Sequence, residues 1–120
     1  MSDIVVDMEP DSLLPLPPAV FHILVALAEG DRHGYSILRD VEGQTGGVRL
    51  GPGTLYGAIK RMLEQDLVEE VRAPRAEGDD ERRRYYRLTR FGRRVAEAEA
   101  ARLSDVVKKA RASGLLPQRG

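Results

Sequence analysis

A helix followed at once by a basic hairpin is the feature that most constrains this chain. Gly51–Asp66 (GPGTLYGAIKRMLEQD) reads as a loop opening into a helix over 54–66. Leu55, Ile59, Met62 and Leu63 fall at i, i+4, i+7 and i+8 and so form one apolar stripe. Thr54 is the expected N-cap, its hydroxyl accepting from a first-turn N–H. The other side carries Tyr56, Gly57, Lys60 and Arg61, with Glu64 beyond. Leu67–Ala73 (LVEEVRA) then reads as a strand, Pro74–Glu81 as a polar turn and Arg82–Thr89 (RRRYYRLT) as a second strand. In a lone helix, such a stripe is more often simple core and such cations a solvated face. The attached hairpin shifts the balance to a winged helix-turn-helix, a mainly α (α+β) fold whose exposed helix can lie against a polyanion.

Net charge does not by itself point to nucleic acid, because 19 basic residues balance 19 acidic ones. The distribution is what matters. Met1–Asp31 holds six acids and no Lys or Arg, whereas Arg82–Arg94 holds seven Arg and no acid. A neutral chain of this kind still presents a strongly positive face. The absence of Cys excludes disulfides, thiolate zinc sites and cysteine nucleophiles. No apolar run reaches the length of a membrane span and the N-terminus lacks a basic signal region, so no membrane association and a cytoplasmic location are expected.

The 120 residues suit one domain with a modest core. Residues 1–15 are expected to be a flexible segment, acidic and without sustained period. Residues 16–89 form the expected winged helix-turn-helix, 90–113 a C-terminal helix and 114–120 a tail. Leu13–Pro18 (LLPLPP) is a stiff lead-in to Ala19–Ala28 (AVFHILVALA), which is apolar almost all round. Either the rest of the chain wraps that helix or a second subunit covers it. His33-Gly34-Tyr35 opens a second helix running to about Gln44, with Ile37, Leu38 and Val41 as its stripe and Thr45-Gly46-Gly47 as its stop. Val48-Arg49-Leu50 is read as a short strand or bridge. Arg90–Ser113 forms the last helix, with Val95, Ala96, Ala100, Leu103, Val107 and Ala110 on one side.

Readout of DNA requires side chains that reach base edges from a helix lying in the major groove. Lys60 and Arg61 have that reach, while Thr54 and Tyr56 suit phosphate or a thymine methyl. Gly57 permits either close approach to DNA or a tight fit inside the protein. In the hairpin, period-2 alternation places Arg84, Tyr86 and Leu88 toward the core and Arg83, Tyr85 and Arg87 outward, as phosphate contacts. Asp79, Asp80 and Glu81 at the wing tip oppose a phosphate backbone unless they pair with Arg75 or Arg82. Other chemistries fit poorly. GGVRLGPGT lacks the lysine and hydroxyl of a phosphate loop, His22 belongs in core or interface, and His33 suits a turn or cap. No catalytic residue, metal ligand set or cofactor is expected, and no enzyme.

LPPAVFHILVAL, HGYSIL, GPGTLYGAIKRMLEQDLV and RRRYYRLTRFGRR together resemble the PadR-like family of winged-helix transcriptional regulators, over roughly Leu16–Arg111. The resemblance implies a homodimeric repressor that binds double-stranded DNA and dimerises through its first and last helices. Val20, Leu24 and Leu27 on the first, with Val95, Leu103 and Val107 on the last, are the expected interface. Family members commonly carry proline where this chain has Gly57. Relatives that bind drugs use tryptophan at the dimer interface, and this chain has none. The sequence names no effector and no operator. Two other readings compete: a winged-helix protein-interaction module that never touches DNA, favoured by zero net charge and the acidic wing tip, and a small-ligand sensor.

Overall fold

The computed structural model describes residues 9–44, 49–72 and 84–118. A 3-10 helix, Pro10–Leu13, leads into α1 (Pro18–Leu27), β1 (Arg32–His33), α2 (Gly34–Gln44), α3 (Pro52–Glu64), β2 (Val68–Val71), β3 (Tyr85–Leu88) and α4 (Arg90–Ala112). The strands form one antiparallel sheet in the order β1-β3-β2. Three helices and this small sheet make the winged helix-turn-helix, extended by the long α4.

Helix α1 sits at the centre and touches α2, α3, α4 and β3. Val20, Ile23, Leu24, Ala26 and Leu27 are buried within this one chain. Its all-round apolarity is therefore largely satisfied by wrapping, with Val25 left exposed. The carbonyls at its C-terminal end are satisfied by two arginines, Arg32 Nε to Ala26 O at 2.9 Å and Arg93 Nη2 to Ala28 O at 3.1 Å.

Helix α2 buries Ile37 and Val41, with Leu38 half-buried. His33 caps it: Nδ1 accepts from the Ser36 N–H at 3.2 Å, and Nε2 lies 3.1 Å from the Ser36 hydroxyl. The capping role expected of His33 is thus its role. Thr45-Gly46-Gly47 and Val48 lie outside the described residues. Arg49 and Leu50 join no strand, and the third strand is instead Arg32–His33. Two residues are too few to show a period, which is why the sequence pattern passed it over.

Helix α3 begins two residues earlier than expected. Gly51 is its N-cap and Pro52 its first residue, where a missing N–H costs nothing. Thr54 is inside the first turn and exposed, not the cap. Leu55, Ala58, Ile59 and Met62 are buried, while Leu63 is on the rim. The helix stops at Asp66, which takes a left-handed φ of 62°. The Leu67 N–H then reaches back to Met62 O (2.9 Å) and the Asp66 N–H to Leu63 O (3.2 Å).

This turn is tied to the start of α4. The Thr89 hydroxyl donates to Asp66 O (2.6 Å) and accepts from the Gly92 N–H (2.8 Å), so one side chain caps α4 and holds the end of α3. Gly92 lies directly on the Leu67 carbonyl, where any Cβ would collide with backbone.

The N-terminal segment is not wholly loose, because Pro10–Leu13 lies along α4. Residues 1–8 lie outside the described residues. Leu16 joins the core, and its N–H donates to Glu99 Oε2 at 3.0 Å. Glu99 is only 2% exposed, and Arg102 donates to both its oxygens at 2.6 and 3.1 Å.

Candidate nucleic-acid interface

The buried quartet of α3 fixes which side of that helix faces out. Thr54, Tyr56, Lys60 and Arg61 are exposed on it, and Gly57 lies among them. Neither Lys60 nor Arg61 pairs with a carboxylate among the described residues. A Cβ built on Gly57 would meet only Arg61 Nη1, at 3.9 Å. Packing within the subunit therefore does not require glycine there, and the tight-fit explanation falls. What glycine leaves is a bare stretch of helix backbone one turn before the two cations.

Tyr56 is braced rather than free. Its ring presses on the Cα of Gly34 at the start of α2, a contact that admits no Cβ, yet 49% of the residue stays exposed. Tyr86 of β3 is nearby, and burial, with Glu70 adding its charge, pushes the Tyr86 phenol above its ordinary range. Tyr56 thus joins the outward helix to α2 while keeping an open face.

The hairpin departs from expectation at two positions. Tyr86 is buried and Leu88 half-buried on the core face, with Val68 paired opposite Leu88. Tyr85, expected outward as a DNA contact, is buried as well. Its cross-strand partner in β1 is His33, whose ring stands edge-on at 5.3 Å. The His33 ring from β1 lies against this second face of β3, Tyr85 is buried there, and simple alternation fails. Arg87 is exposed, but its guanidinium is held by both oxygens of Asp31, at 3.1 and 2.9 Å. That places it in the joint between β3 and the turn after α1, already engaged. Arg84, assigned to the core face, is exposed and lies 3.7 Å from Glu70. Arg83, with Arg75, Arg82 and the acids Asp79, Asp80 and Glu81, lies outside the described residues.

The residues expected at a subunit interface divide in the same way. Val20, Leu24, Leu27 and Val95 are buried in the chain's own core and offer no surface to a partner. Leu103 is half-buried and Val107 is 41% exposed. Val25, Val106, Leu115 and Leu116 are further exposed apolar residues that the pattern did not single out. Glu99 was also missed. An acid among Ala, Arg and Glu in a long helix looks like a solvated face, and its partner Leu16 is remote in sequence.

Among the described residues, no group of three or more His, Asp or Glu side chains is placed to hold a metal ion. No helix among them is long and apolar enough to cross a membrane.

Comparison with known proteins agrees with this architecture. Residues 23–98 match the model of the transcriptional regulator PadR-like family. The chain is 44% identical over 88 residues to an uncharacterized 37.1 kDa protein in transposon TN4556 of Streptomyces fradiae, covering 71% of this chain and 24% of that protein. It thus spans about a quarter of the length of that relative. It is 30% identical over 88 residues to an uncharacterized protein of Lysinibacillus sphaericus, covering 72% of each. Among solved structures, a PadR family transcription regulator from Clostridium difficile superposes with a TM-score of 0.69 at 28% identity, covering 83% of this chain and all of that one. A transcriptional regulator from Clostridium thermocellum shares the fold, with a TM-score of 0.66 at 24% identity over 89% of this chain and 97% of the other. The fold is thus shared with solved transcription regulators, and the chain belongs to the PadR-like family of transcriptional regulators.

Proposed function

We propose that this chain is a sequence-specific regulator of transcription that acts as a homodimeric repressor and reads the major groove of double-stranded DNA with α3. The observation that carries the reading is the exposed strip of α3, where Lys60 and Arg61 pair with no carboxylate among the described residues and follow the bare backbone at Gly57 by one turn. Long cations on a helix buried along its opposite side are suited to base edges, and glycine one turn before them permits close approach. In this reading the basic run Arg82–Arg84, which precedes β3 in the sequence, supplies phosphate contacts that position the protein without specifying sequence.

Dimerisation rests on the far half of α4, where Val106 and Val107 are exposed and Leu103 is half-buried. A two-fold pair covers such a surface with two copies of one patch. The repressor role rests on the family resemblance. Selection from random duplex DNA tests the proposal directly. The expected outcome is enrichment of a site with two related half-sites, spaced by about one helical turn or a multiple of it. Failure to enrich any sequence, together with no duplex binding at low salt, would leave the interaction-module reading in its place.

A further inference from the structure

Four described arginines, Arg32, Arg84, Arg87 and Arg102, each pair with a carboxylate. Arg39 on α2, like Arg61, pairs with none among the described residues. Its guanidinium carbon lies 5.8 Å from the centroid of the Tyr35 ring, one helical turn earlier. Tyr35 is 59% exposed, the most open of the described aromatic residues with exposed surface. Gly34, Ile37 and Val41 bury one side of α2, so Tyr35 and Arg39, at i and i+4, lie together on the opposite strip. An aromatic face under a guanidinium restrains the charge in position at modest energetic gain. It leaves the N–H edges of the guanidinium open.

The position of this pair relative to α3 is set by Tyr56. Its ring rests on Gly34, the residue directly before Tyr35. Tyr56, on the exposed strip of α3, therefore lies against the start of α2, one residue before Tyr35. In helix-turn-helix docking, the helix before the reading helix crosses the sugar–phosphate backbone. Glu42, three residues beyond Arg39, is also exposed, and Glu29 and Asp40 line a cleft with Arg39 but are both held by Arg32, at 3.7 and 3.0 Å.

We infer that Tyr35 and Arg39 form a phosphodiester-binding pair that fixes the register of α3 on duplex DNA. Arg39 donates to the non-bridging oxygens of a backbone phosphate, and the Tyr35 ring holds the guanidinium while its hydroxyl donates to the same strand. The inference rests on the proposed reading of DNA by α3. It adds a contact that carries affinity and no sequence information.

The test uses the full chain, the duplex recovered by selection and an unrelated duplex of equal length, with affinity measured between low and moderate salt. Arg39→Gln is expected to weaken binding to both duplexes alike, by about ten-fold, the order of one charge-assisted hydrogen bond. It should also lower the slope of log affinity against log salt by about 0.9 for each copy bound. Arg39→Lys should keep the slope, and Tyr35→Phe should weaken both duplexes slightly without changing it. Unchanged melting temperatures, expected of exposed positions, separate these losses from unfolding. Wild-type affinity and slope in Arg39→Gln, alongside lost cognate binding in Lys60→Ala, would overturn the α2 contact and leave the reading by α3 intact. Absence of salt-dependent binding of the wild type to either duplex would overturn both.

Discussion

The carboxylate of Glu99 accepts a hydrogen bond from the backbone N–H of Leu16, joining positions 83 residues apart at 3.0 Å. Arg102 donates to the same carboxylate and, with the Leu16 N–H, holds its pKa below the usual value of 4.5, against the opposing effect of burial. A depressed carboxylate contributes stability that is complete above its unfolded pKa and is lost as pH falls through the folded value. Glu99→Gln should therefore cost roughly 1–3 kcal/mol at neutral pH, the worth of hydrogen bonds to a charged group. The gap between wild type and variant should close progressively below about pH 4. Urea unfolding at pH 7 and at pH 3.5 checks this, and a gap that is independent of pH would exclude the ionised carboxylate as its source.

Two glycines should respond in opposite ways to alanine. At Gly92 the new Cβ meets the Leu67 carbonyl, and neither backbone can give way without shifting α4 from the sheet. Gly92→Ala should destabilise by at least about 1–3 kcal/mol. At Gly57 the space is open, so alanine should stabilise the helix by up to about 1 kcal/mol. If α3 approaches DNA closely there, the same Gly57→Ala should weaken cognate binding despite its higher melting temperature. Thermal unfolding and a binding titration on both variants separate the effects.

Lys60, Arg61 and Arg87 should also behave differently. Alanine at Lys60 or Arg61 is expected to cost roughly 1–3 kcal/mol on the selected site and less on unrelated DNA. Arg87→Ala releases Asp31 instead. Exposed pairs contribute little in water, so stability should fall only slightly and cognate affinity should hardly change. A loss of DNA binding in Arg87→Ala equal to that in Lys60→Ala would show that the Asp31 pair opens in the complex.

The two apolar positions Leu24 and Val107 separate folding from association. Leu24 is fully buried in the chain, and Leu24→Ala should cost about 2–5 kcal/mol at any protein concentration. Val107→Glu alters an exposed residue, so helix content should persist while sedimentation shifts to the monomer and operator affinity drops. A Val107→Glu protein that sediments like the wild type would remove the far half of α4 from the interface.

Much of the architecture was legible because it rests on long periodic segments. The stripe of Leu55, Ile59 and Met62 placed α3, and the Ala-, Glu- and Arg-rich run after Thr89 placed α4 within a residue. What escaped is what depends on distant partners. Arg32–His33 becomes a strand only because Tyr85 and Tyr86 lie alongside it, and that pairing buries Tyr85 on the face read as solvent. Arg87 looked like a free phosphate contact because Asp31 is distant in sequence. The apolar surplus of α1 fitted wrapping or dimerisation equally well, and only the packing of α2, α3 and α4 around it decided in favour of wrapping.

The strand order β1-β3-β2 bears on how the molecule avoids sticking to itself. A sheet edge offers unpaired N–H and C=O groups to any neighbouring chain. Here the central place goes to β3, and the two outer places fall to strands that make poor templates. One, β1, is two residues long, which is too short for a foreign strand to register against. The other, β2, carries Glu69 and Glu70, both exposed. Pairing two such edges face to face would bring like charges together. The acids that lower the net charge of β2 thus also disfavour edge-to-edge pairing, and replacing both with threonine would create an aggregation-prone edge beside the proposed DNA-binding surface.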